Sequence, residues 1–559
     1  MPVLQFKGKT AIENYHHTVP HHILEFDKKL SVLGKGEEPG LDGNLIIEGD
    51  NLLALKALLP THAGRIKCIY IDPPYNTGNE GWVYNDNLTQ PQFKEWIGRT
   101  VGKEGEDATR HDKWCCMMYP RLQLLQELLC DEGALFVSID DHEVAHLRMM
   151  LDEIFGEENF LATIVWKPRY SPPNDHKGIA AMHDFIVAYR KTNEFMRGLL
   201  PRSEKAEANY SNPDNDPRGD WISVGYIGNK SRKERPNSWY PITRPVDGKK
   251  IWPDEGAVWR FSPETHARNV KENRLYWGPT GMYEKPRYKK FRFEVKPGIV
   301  PGSWWEPSEV GNNDQAKREL AQILGPDSGF PNPKPVALIR RVLEIATNED
   351  DVILDSFAGS GTTGHAVLDL NKEDGGTRKF ILIQIPFETK ENENDAFNIA
   401  RKITVERTRR VVKGYAFESK KGKEQNVEGL GGTFTFGSLG RALFGEYRDM
   451  GEKSPPYEEL AKYIFYTETS RDFDPKTTNE RTGKIGEDKT TSYYLLYSPD
   501  GSKDRPLDIA WLKSLGDSEK NRNLVVYCEK LWVHRDDLKR FEDETKRRVR
   551  PMLIPFNLK

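Results

Sequence analysis

The sequence is short of several features that would assign a function directly. None of its 559 residues belongs to an apolar run near the ~20 residues of a membrane span, and its first residues form no signal-peptide core. It has five cysteines, an odd number with no Cys-x-x-Cys pair, which favours free thiols in a reducing compartment. It also lacks the complete Gly-x-x-x-x-Gly-Lys-Ser/Thr phosphate loop of helicases, because Gly8-Lys9-Thr10 has Val3 where that loop needs its first glycine. These absences predict a cytoplasmic protein without a membrane segment.

The charge is nearly balanced overall but not locally. The net charge is −3, yet residues 229–296 hold 17 Lys and Arg against 8 Asp and Glu, and many aromatic residues lie between them. Such a basic island offers phosphate contacts together with base stacking. The alternative is a solvated basic face over a small aromatic core. The expected phosphate contacts are Lys249, Lys250, Lys289 and Lys290.

The most informative stretch is Asp72-Pro73-Pro74-Tyr75, which follows an apolar, β-branched run at 66–71. The run predicts a buried parallel strand, and ligands bind where such strands end. Two prolines make the backbone rigid, and their carbonyls are expected to point outward without partners. A carboxylate, a carbonyl and an aromatic face suit a flat amine. A simple strand-terminating turn is the alternative interpretation.

Helical and strand patterns alternate on both sides of this stretch. The first regular element is expected at Leu45, and the alternation predicts an α/β doubly wound sheet. The alternation stops in a segment rich in Pro, Gly, Asn and Trp, and it resumes near Phe330. The predicted organisation begins with an N-terminal leader packing on the body at 1–40, a first sheet half at 41–190 and an inserted domain at 191–330. A second sheet half follows at 331–415. The last part is a small α+β C-terminal module at 416–559, which is expected to dimerise or dock a partner.

A second stretch predicts a cofactor site. A buried strand ending at Asp355 leads into a turn with Gly359, Gly361 and Gly364, followed by a helix. The spacing matches the dinucleotide fingerprint Gly-x-Gly-x-x-Gly, so an oxidoreductase is one candidate. However, the acid expected ~20 residues later for a ribose falls near Gln384, and this neutral residue disfavours a nicotinamide site.

Two histidine groups are weaker signals. His142-Glu143-Val144-Ala145-His146 has the zinc-protease pattern, but these residues are expected to cap and solvate the first helical turn, and no metal is predicted. His16, His17, His21 and His22 are expected to form a surface cluster. The polar loop from Asn76 to Asn87 is expected to be a mobile lid.

The joint order of four motifs resembles the beta class of S-adenosylmethionine-dependent amino DNA methyltransferases, and most closely the modification (Mod) subunits of type III restriction-modification systems. The match runs from about Asn44 to Arg410. The motifs are Asp72-Pro-Pro-Tyr-Asn-Thr-Gly78, Phe136-Val-Ser-Ile-Asp140, Asn212-Pro-Asp-Asn-Asp-Pro-Arg-Gly219 and Phe357-Ala-Gly-Ser-Gly361.

The resemblance implies a circularly permuted Rossmann-like sheet, an inserted target-recognition domain and N6-adenine methylation of double-stranded DNA by base flipping. It implies that Asp72 and the Pro73 carbonyl accept hydrogen bonds from the adenine amine, next to Pro74, while Tyr75 stacks on the base. It also implies a set of S-adenosylmethionine contacts: Asp355, Phe357, Gly359, Gly361 and Thr362 at the glycine turn, Lys334 and Phe330 nearby, and Asp50 and Gln384 toward the adenosine. A homodimer and a restriction (Res) helicase-nuclease subunit are the implied partners.

Two further functions remain open from the sequence. An N4-cytosine methyltransferase is the nearest, although Ser usually replaces the Asp in that group. A non-catalytic DNA-recognition subunit that positions a nuclease is the other.

Overall fold

The computed structural model describes residues 3–77, 110–172, 178–202, 207–295, 298–326, 330–387, 398–419, 422–444, 454–502, 505–516 and 522–554. The chain forms two compact units. The larger consists of Met1–Gly198 and Gly302–Lys559, and the smaller is Leu199–Pro301. No helix among the described residues is long and apolar enough to cross a membrane.

The first part of the larger unit alternates strands and helices. Its strands are β1 (His22–Val32), β2 (Leu45–Glu48), β3 (Ile66–Ile71), β4 (Leu129–Ile139), β5 (Phe160–Trp166) and β6 (Asp184–Arg190). Its helices are α1 (Lys9–Ile12), α2 (Tyr15–Thr18), α3 (Asn51–His62), α4 (Arg110–Leu128) and α5 (Val144–Phe155), with a short 3-10 turn at Glu157–Asn159.

The described residues of the smaller unit form short antiparallel strands, one helix and two 3-10 turns. Its strands are β7 (Trp221–Gly225), β8 (Ile227–Gly228), β9 (Ile242–Thr243), β10 (Lys250–Ile251), β11 (Val258–Trp259), β12 (Leu275–Tyr276) and β13 (Arg287–Phe291). The other elements are α6 (Pro263–Lys271) and the 3-10 turns Pro236–Ser238 and Arg292–Glu294.

The chain then returns to the larger unit. The strands are β14 (Trp304–Trp305), β15 (Val352–Asp355), β16 (Lys379–Gln384), β17 (Gly414–Glu418), β18 (Glu424–Glu428) and β19 (Phe434–Ala442). The helices are α7 (Pro307–Val310), α8 (Asn313–Leu324), α9 (Val336–Ala346), α10 (Thr362–Asp374), a π-helix at Ala400–Val405 and α11 (Glu406–Lys413).

The C-terminal residues form a separate four-stranded sheet in the order β20-β21-β22-β23. Apolar clusters cover both of its faces, which makes it a small α+β module. The elements are β20 (Lys484–Glu487), β21 (Thr491–Leu496), β22 (Asn523–Cys528), β23 (Val549–Leu553), α12 (Tyr457–Thr469), α13 (Ile509–Ser514), α14 (Arg535–Thr545) and a 3-10 turn at Pro475–Thr477.

The central sheet has ten strands in the order β1-β19-β2-β16-β15-β3-β4-β6-β5-β14. The run from β19 to β4 is parallel, and β6 is antiparallel to both of its neighbours. Alternate residues of β16 face opposite sides: Ile381 and Ile383 join the core that contains α3, whereas Phe380 and Leu382 contact α10 at Gly364. The predicted doubly wound α/β sheet is therefore confirmed.

The sheet begins earlier and ends later in the chain than the sequence patterns indicate. The expected leader supplies the edge strand β1, which pairs antiparallel with β19, so regular structure does not begin at Leu45. In turn β19 lies beside β2, so the sheet includes residues beyond the predicted limit at 415. Residues 302–326, predicted to belong to the insertion, contain β14, which pairs with β5. These strands obtain their partners from distant parts of the chain, which local patterns do not reveal.

The predicted surface cluster of histidines is wrong for two of its members. His16 and His21 are buried. Burial lowers the pKa of both, that of His16 to about 4 and that of His21 to about 3. Lys56 donates to the His16 carbonyl oxygen at 2.9 Å and thereby ties this segment to α3.

Candidate active site

Strands β3 and β15 are parallel neighbours, with Leu354 opposite Ile69. Asp72 follows β3 directly, and Asp355 is the last residue of β15. Because parallel neighbours end at the same edge, the two acids lie at one edge of the sheet although 283 positions separate them in the sequence. The chain reverses its winding at this point, which is where open α/β sheets bind ligands.

Lys334 and Asp72 form an ion pair across this edge. The Lys334 Nζ lies 2.5 Å from Asp72 Oδ2 and 5.1 Å from the centre of the Tyr75 ring. The other carboxylate oxygen, Oδ1, is buried and has no hydrogen bond of ordinary geometry from a described residue, although the Tyr75 hydroxyl lies close enough to interact with this carboxylate. Asp72 therefore has one oxygen fixed by the ammonium and one that can accept a hydrogen bond from a ligand. Sequence reasoning placed Lys334 near the cofactor, whereas its ammonium contacts the residue assigned to the substrate.

The ion pair affects the pKa values of two more carboxylates. Burial raises the pKa of Asp355 to about 7, and the charge of Asp72 adds to the rise. Burial also raises the pKa of Asp184, the first residue of β6, to about 6. Lys334 opposes both shifts. Asp184 was missed from the sequence, where the only signal was an acid at the start of an apolar strand.

The Asp72–Tyr75 loop is held from both sides. The Trp114 indole donates to the Pro74 carbonyl oxygen at 2.7 Å. The expectation that this carbonyl points outward without a partner is therefore wrong. Asn76 has a left-handed φ of 58°, and its side-chain amide donates to the buried carboxylate of Glu143. Tyr75 lies between these two attachments. Its phenol is buried beside Asp72, and burial raises its pKa well above the ordinary value.

The glycine turn is built from several side chains. Asp355 accepts from the Phe357 backbone N–H at 3.0 Å and from the Thr363 hydroxyl at 2.5 Å. Gln384 accepts from the Gly359 N–H at 2.6 Å and donates to the Ile385 carbonyl at 3.0 Å. An acid at this position could not make the second hydrogen bond, which explains a neutral residue there.

Both glycines of the turn have left-handed φ angles, 52° at Gly359 and 78° at Gly361. A Cβ on Gly359 would lie 3.0 Å from the ring of Phe330, and one on Gly361 would lie 3.3 Å from Thr404. Phe330 therefore covers the turn, as expected for a residue near the cofactor. At Gly361, contacts within the protein require glycine, and the Cβ would point toward the π-helix.

Thr362 and Arg407 hold the turn from behind. Thr362 begins α10, and its hydroxyl donates to the Lys334 carbonyl oxygen at 3.2 Å, which links the turn to the Lys334 segment. Arg407 is buried and donates to Ser360 Oγ and Thr362 Oγ1, both at 2.8 Å. Burial lowers its pKa to about 10. No sequence pattern indicated Arg407, because an arginine in an amphipathic helix is usually exposed.

Other residues of the protein already bind the Asp50 carboxylate. Its carboxylate caps α3 by accepting from the Leu52 N–H at 2.8 Å and pairs with Arg121 at 3.2 Å. Asn51, the next residue, donates to the Ser356 carbonyl oxygen at 2.8 Å and thereby joins the start of α3 to the end of β15. The adenosine contacts of Asp50 and Gln384 remain predictions.

The zinc-protease pattern does not assemble as a pair of histidines. His142 contacts Asp140 at 2.8 Å and lies apart from the buried group. Glu143 is instead approached by His111 of α4 at 2.7 Å and by His146 at 2.8 Å. The His111 contact is a hydrogen bond, whereas Glu143 Oε2 and His146 Nδ1 have no hydrogen-bond partner among the described residues. The three ligand atoms also lie within 4.8 Å of one another, as a metal site would require. The predicted lid, except for Asn76 and Thr77, lies outside the described residues.

The basic island is partly internal. Lys289 is fully buried, pairs with Asp214 and Asp216, and therefore does not contact phosphate as expected. Lys249, Lys250 and Lys290 are exposed. The aromatic residues divide in the same way, since Trp259 is buried in a small core whereas Trp252 is 45% exposed. The interpretation as a basic face over a small aromatic core is thus partly correct, and phosphate contact by the exposed lysines stays a prediction.

A parallel sheet with an Asp-Pro-Pro-Tyr loop and a glycine turn on neighbouring strands defines a Rossmann-like methyltransferase. Comparison with protein families agrees, because the DNA methylase family model (N6_N4_Mtase) matches residues 66–398. The chain belongs to this DNA methylase family.

Three relatives illustrate the similarity. The StyLTI Mod subunit of a type III restriction-modification enzyme from Salmonella typhimurium is 34% identical, over 66% of this chain and 57% of the relative. The EcoPI Mod subunit of Escherichia phage P1 is 32% identical, over 68% and 63%. The type II methyltransferase M.KpnI of Klebsiella pneumoniae is 31% identical, over 60% and 79%. The chain thus spans less than two thirds of the length of the two Mod subunits.

Proposed function

We propose that the chain transfers a methyl group from S-adenosylmethionine to the N6 amine of adenine in double-stranded DNA, as the modification subunit of a type III restriction-modification system. One observation carries the proposal: Asp72 Oδ1 is a buried acceptor without a hydrogen bond of ordinary geometry among the described residues, beside the Tyr75 phenol and next to the glycine turn. Such an oxygen can accept a hydrogen bond from an exocyclic amine.

The residues at the turn fit the cofactor. Ser356 directly follows Asp355, and its hydroxyl is buried without a hydrogen-bond partner among the described residues. Asp355, Phe357, Gly359, Gly361 and Thr362 would hold the methionine end, because the turn leads into the N-terminus of α10 and an ionised Asp355 favours the cationic amine. When bound, S-adenosylmethionine supplies an electrophilic methyl group on its sulfonium.

The chain's own residues prepare the amine. Asp72 Oδ1 and the Pro73 carbonyl oxygen each accept a hydrogen bond from one N–H of the amine. This arrangement directs the nitrogen lone pair out of the plane of the base. Lys334 holds Asp72 Oδ2, so that the carboxylate keeps one orientation. Tyr75 presents an aromatic face for the extruded base, since a base inside the duplex cannot reach a buried acceptor. Acceptors that are ordered before the reaction need no rearrangement during it.

The target would be selected by residues 191–330. The exposed Lys249, Lys250 and Lys290 are available for phosphate, and Trp252 is available for stacking or groove contacts. Exchanging this segment for that of a relative should move the methylated sequence with it. An unchanged sequence would place recognition in another part of the chain.

The names of two relatives as Mod subunits support a partner subunit, which we expect to be a restriction helicase-nuclease. A homodimer, formed through the C-terminal module, stays a prediction from the sequence. Light scattering of the purified chain tests the dimer. Copurification with a neighbouring restriction gene product tests the partner.

Methylome sequencing of cells that express the chain tests the activity itself. N6-methyladenine at one recurring sequence supports the proposal. N4-methylcytosine would favour the runner-up, since the same loop can hold either amine. Sequence-specific DNA binding without any methylated base would favour a non-catalytic recognition subunit.

A further inference from the structure

We infer that Glu143 and Asn76 form an internal anchor that positions Tyr75 for the base. This inference rests on the proposed function, because it assigns positioning residues to the same site. Glu143 is fully buried at the start of α5, and its carboxylate accepts the side-chain amide of Asn76. Asn76 is itself 1% exposed.

The backbone at Asn76 shows what the side-chain contact holds. Its φ of 58° lies in the left-handed region, which Asn adopts more readily than most non-glycine residues. A hydrogen bond to a carboxylate is stronger than one between neutral groups and holds that conformation. The Glu143 contact therefore fixes the direction in which the chain leaves Tyr75.

The anchor acts together with a second attachment on the other side of Tyr75. Trp114 donates to the Pro74 carbonyl, and His111, one helical turn earlier on α4, bonds to Glu143. Tyr75 thus lies between two residues that are fixed by α4 and α5. A base-stacking ring gains little from contact alone unless its plane is fixed in advance.

A second element holds the same oxygen of Glu143. His111 of α4 lies 2.7 Å from Oε1, the oxygen that also accepts from Asn76. His146 Nδ1 lies 2.8 Å from Oε2, but neither of these two atoms has a hydrogen-bond partner among the described residues. The anchor therefore rests on Oε1.

A reciprocal exchange tests the anchor. Asn76→Asp places two carboxylates against each other, while Asp tolerates the left-handed backbone as Asn does. Adding Glu143→Gln restores the hydrogen bond in the opposite direction, because the amide at position 143 now donates to the carboxylate at position 76. We expect Asn76→Asp to lower kcat by about 100-fold, because a displaced reactive group costs this much, with unchanged affinity for S-adenosylmethionine. The double variant should recover most of the loss.

Hydrogen–deuterium exchange of the backbone amides at 75–77 gives a readout that does not depend on activity. Exchange should accelerate in Asn76→Asp and return toward the wild-type rate in the double variant. His142→Gln is the matched control, since His142 is a neighbour on the same turn that contacts Asp140 instead, and it should change neither quantity.

Three results would overturn the inference. The first is normal kcat and exchange in Asn76→Asp. The second is a double variant no better than Asn76→Asp. The third is stoichiometric zinc or nickel that Glu143→Gln removes, which would make the cluster a metal site. If wild-type protein methylates no DNA, the proposed function fails, and the exchange rates still decide whether the anchor exists.

Discussion

Replacing Lys334 with methionine removes the only cation among the described residues that hydrogen-bonds to Asp72, while keeping a similar side-chain volume. The ammonium lies 2.5 Å from Asp72 Oδ2, and the two side chains are only 11% and 23% exposed. A charge-assisted hydrogen bond of this kind contributes about 1.5–3 kcal/mol. If all of it serves to orient Asp72 in the transition state, kcat falls by about 10- to 150-fold.

The acid limb of the pH–rate profile should also move. Lys334 lowers the pKa of both Asp184, now about 6, and Asp355, now about 7. Without the ammonium both pKa values rise, so a smaller fraction of each carboxylate is ionised at neutral pH. Activity that needs the ionised forms then appears at higher pH than in the wild type.

Single-turnover methylation with a short duplex gives kcat, and calorimetry gives the cofactor affinity. Both should be measured well above the pKa of Asp355, so that its ionisation does not contribute. Lys334→Arg is the control that keeps the charge. A variant that loses cofactor affinity as much as rate would return Lys334 to the cofactor role predicted from the sequence. A Lys334→Met variant with normal or higher kcat would refute its role in orienting Asp72.

Other changes have equally defined outcomes. Asp72→Ala should abolish methyl transfer while calorimetry still detects cofactor binding; loss of both would contradict the division of the site. Gly361→Val should lower Tm, because its Cβ would lie 3.3 Å from the π-helix at a positive φ, and a normal Tm would contradict this. The Asp355 pKa of about 7, against 3.8 ordinarily, means that the folded state keeps a proton which the unfolded chain loses, so the contribution of this group to stability is greatest below about pH 4 and falls by up to about 4 kcal/mol between about pH 4 and 7. Urea unfolding of Asp355→Asn should lack this fall, and the same fall in the variant would exclude Asp355 as its source. Removing Lys249 and Lys250 should weaken DNA binding evenly across sequences and reduce the salt slope by about one unit per contact, whereas changed sequence preference would indicate base reading.

Local patterns predicted the centre of the sheet well. Strand β3 covers Ile66–Ile71 as expected, and helix α9 covers Val336–Ala346 as expected, because continuous apolar runs and helical spacing are local properties. The adjacency of β3 and β15 followed from a general rule about where open sheets reverse their winding. These elements needed no knowledge of distant contacts.

Distant contacts account for what the sequence did not reveal. Strand β1 forms only because β19 returns to pair with it, and the two are about 400 residues apart. Lys334 meets Asp72 across 262 positions. Lys289 looks like a surface cation in the sequence, but Asp214 and Asp216 pair with it inside the smaller unit. Charge and burial at such positions depend on partners that only the folded chain supplies.

The most direct test of the account is nucleoside mass spectrometry after incubation of duplex DNA with trideuteromethyl-labelled S-adenosylmethionine. The wild-type chain should yield labelled N6-methyl-2′-deoxyadenosine, and Asp72→Ala should yield none while still binding the cofactor. Equal labelling by the two proteins would contradict the central claim that the Asp72 carboxylate holds the amine that receives the methyl group.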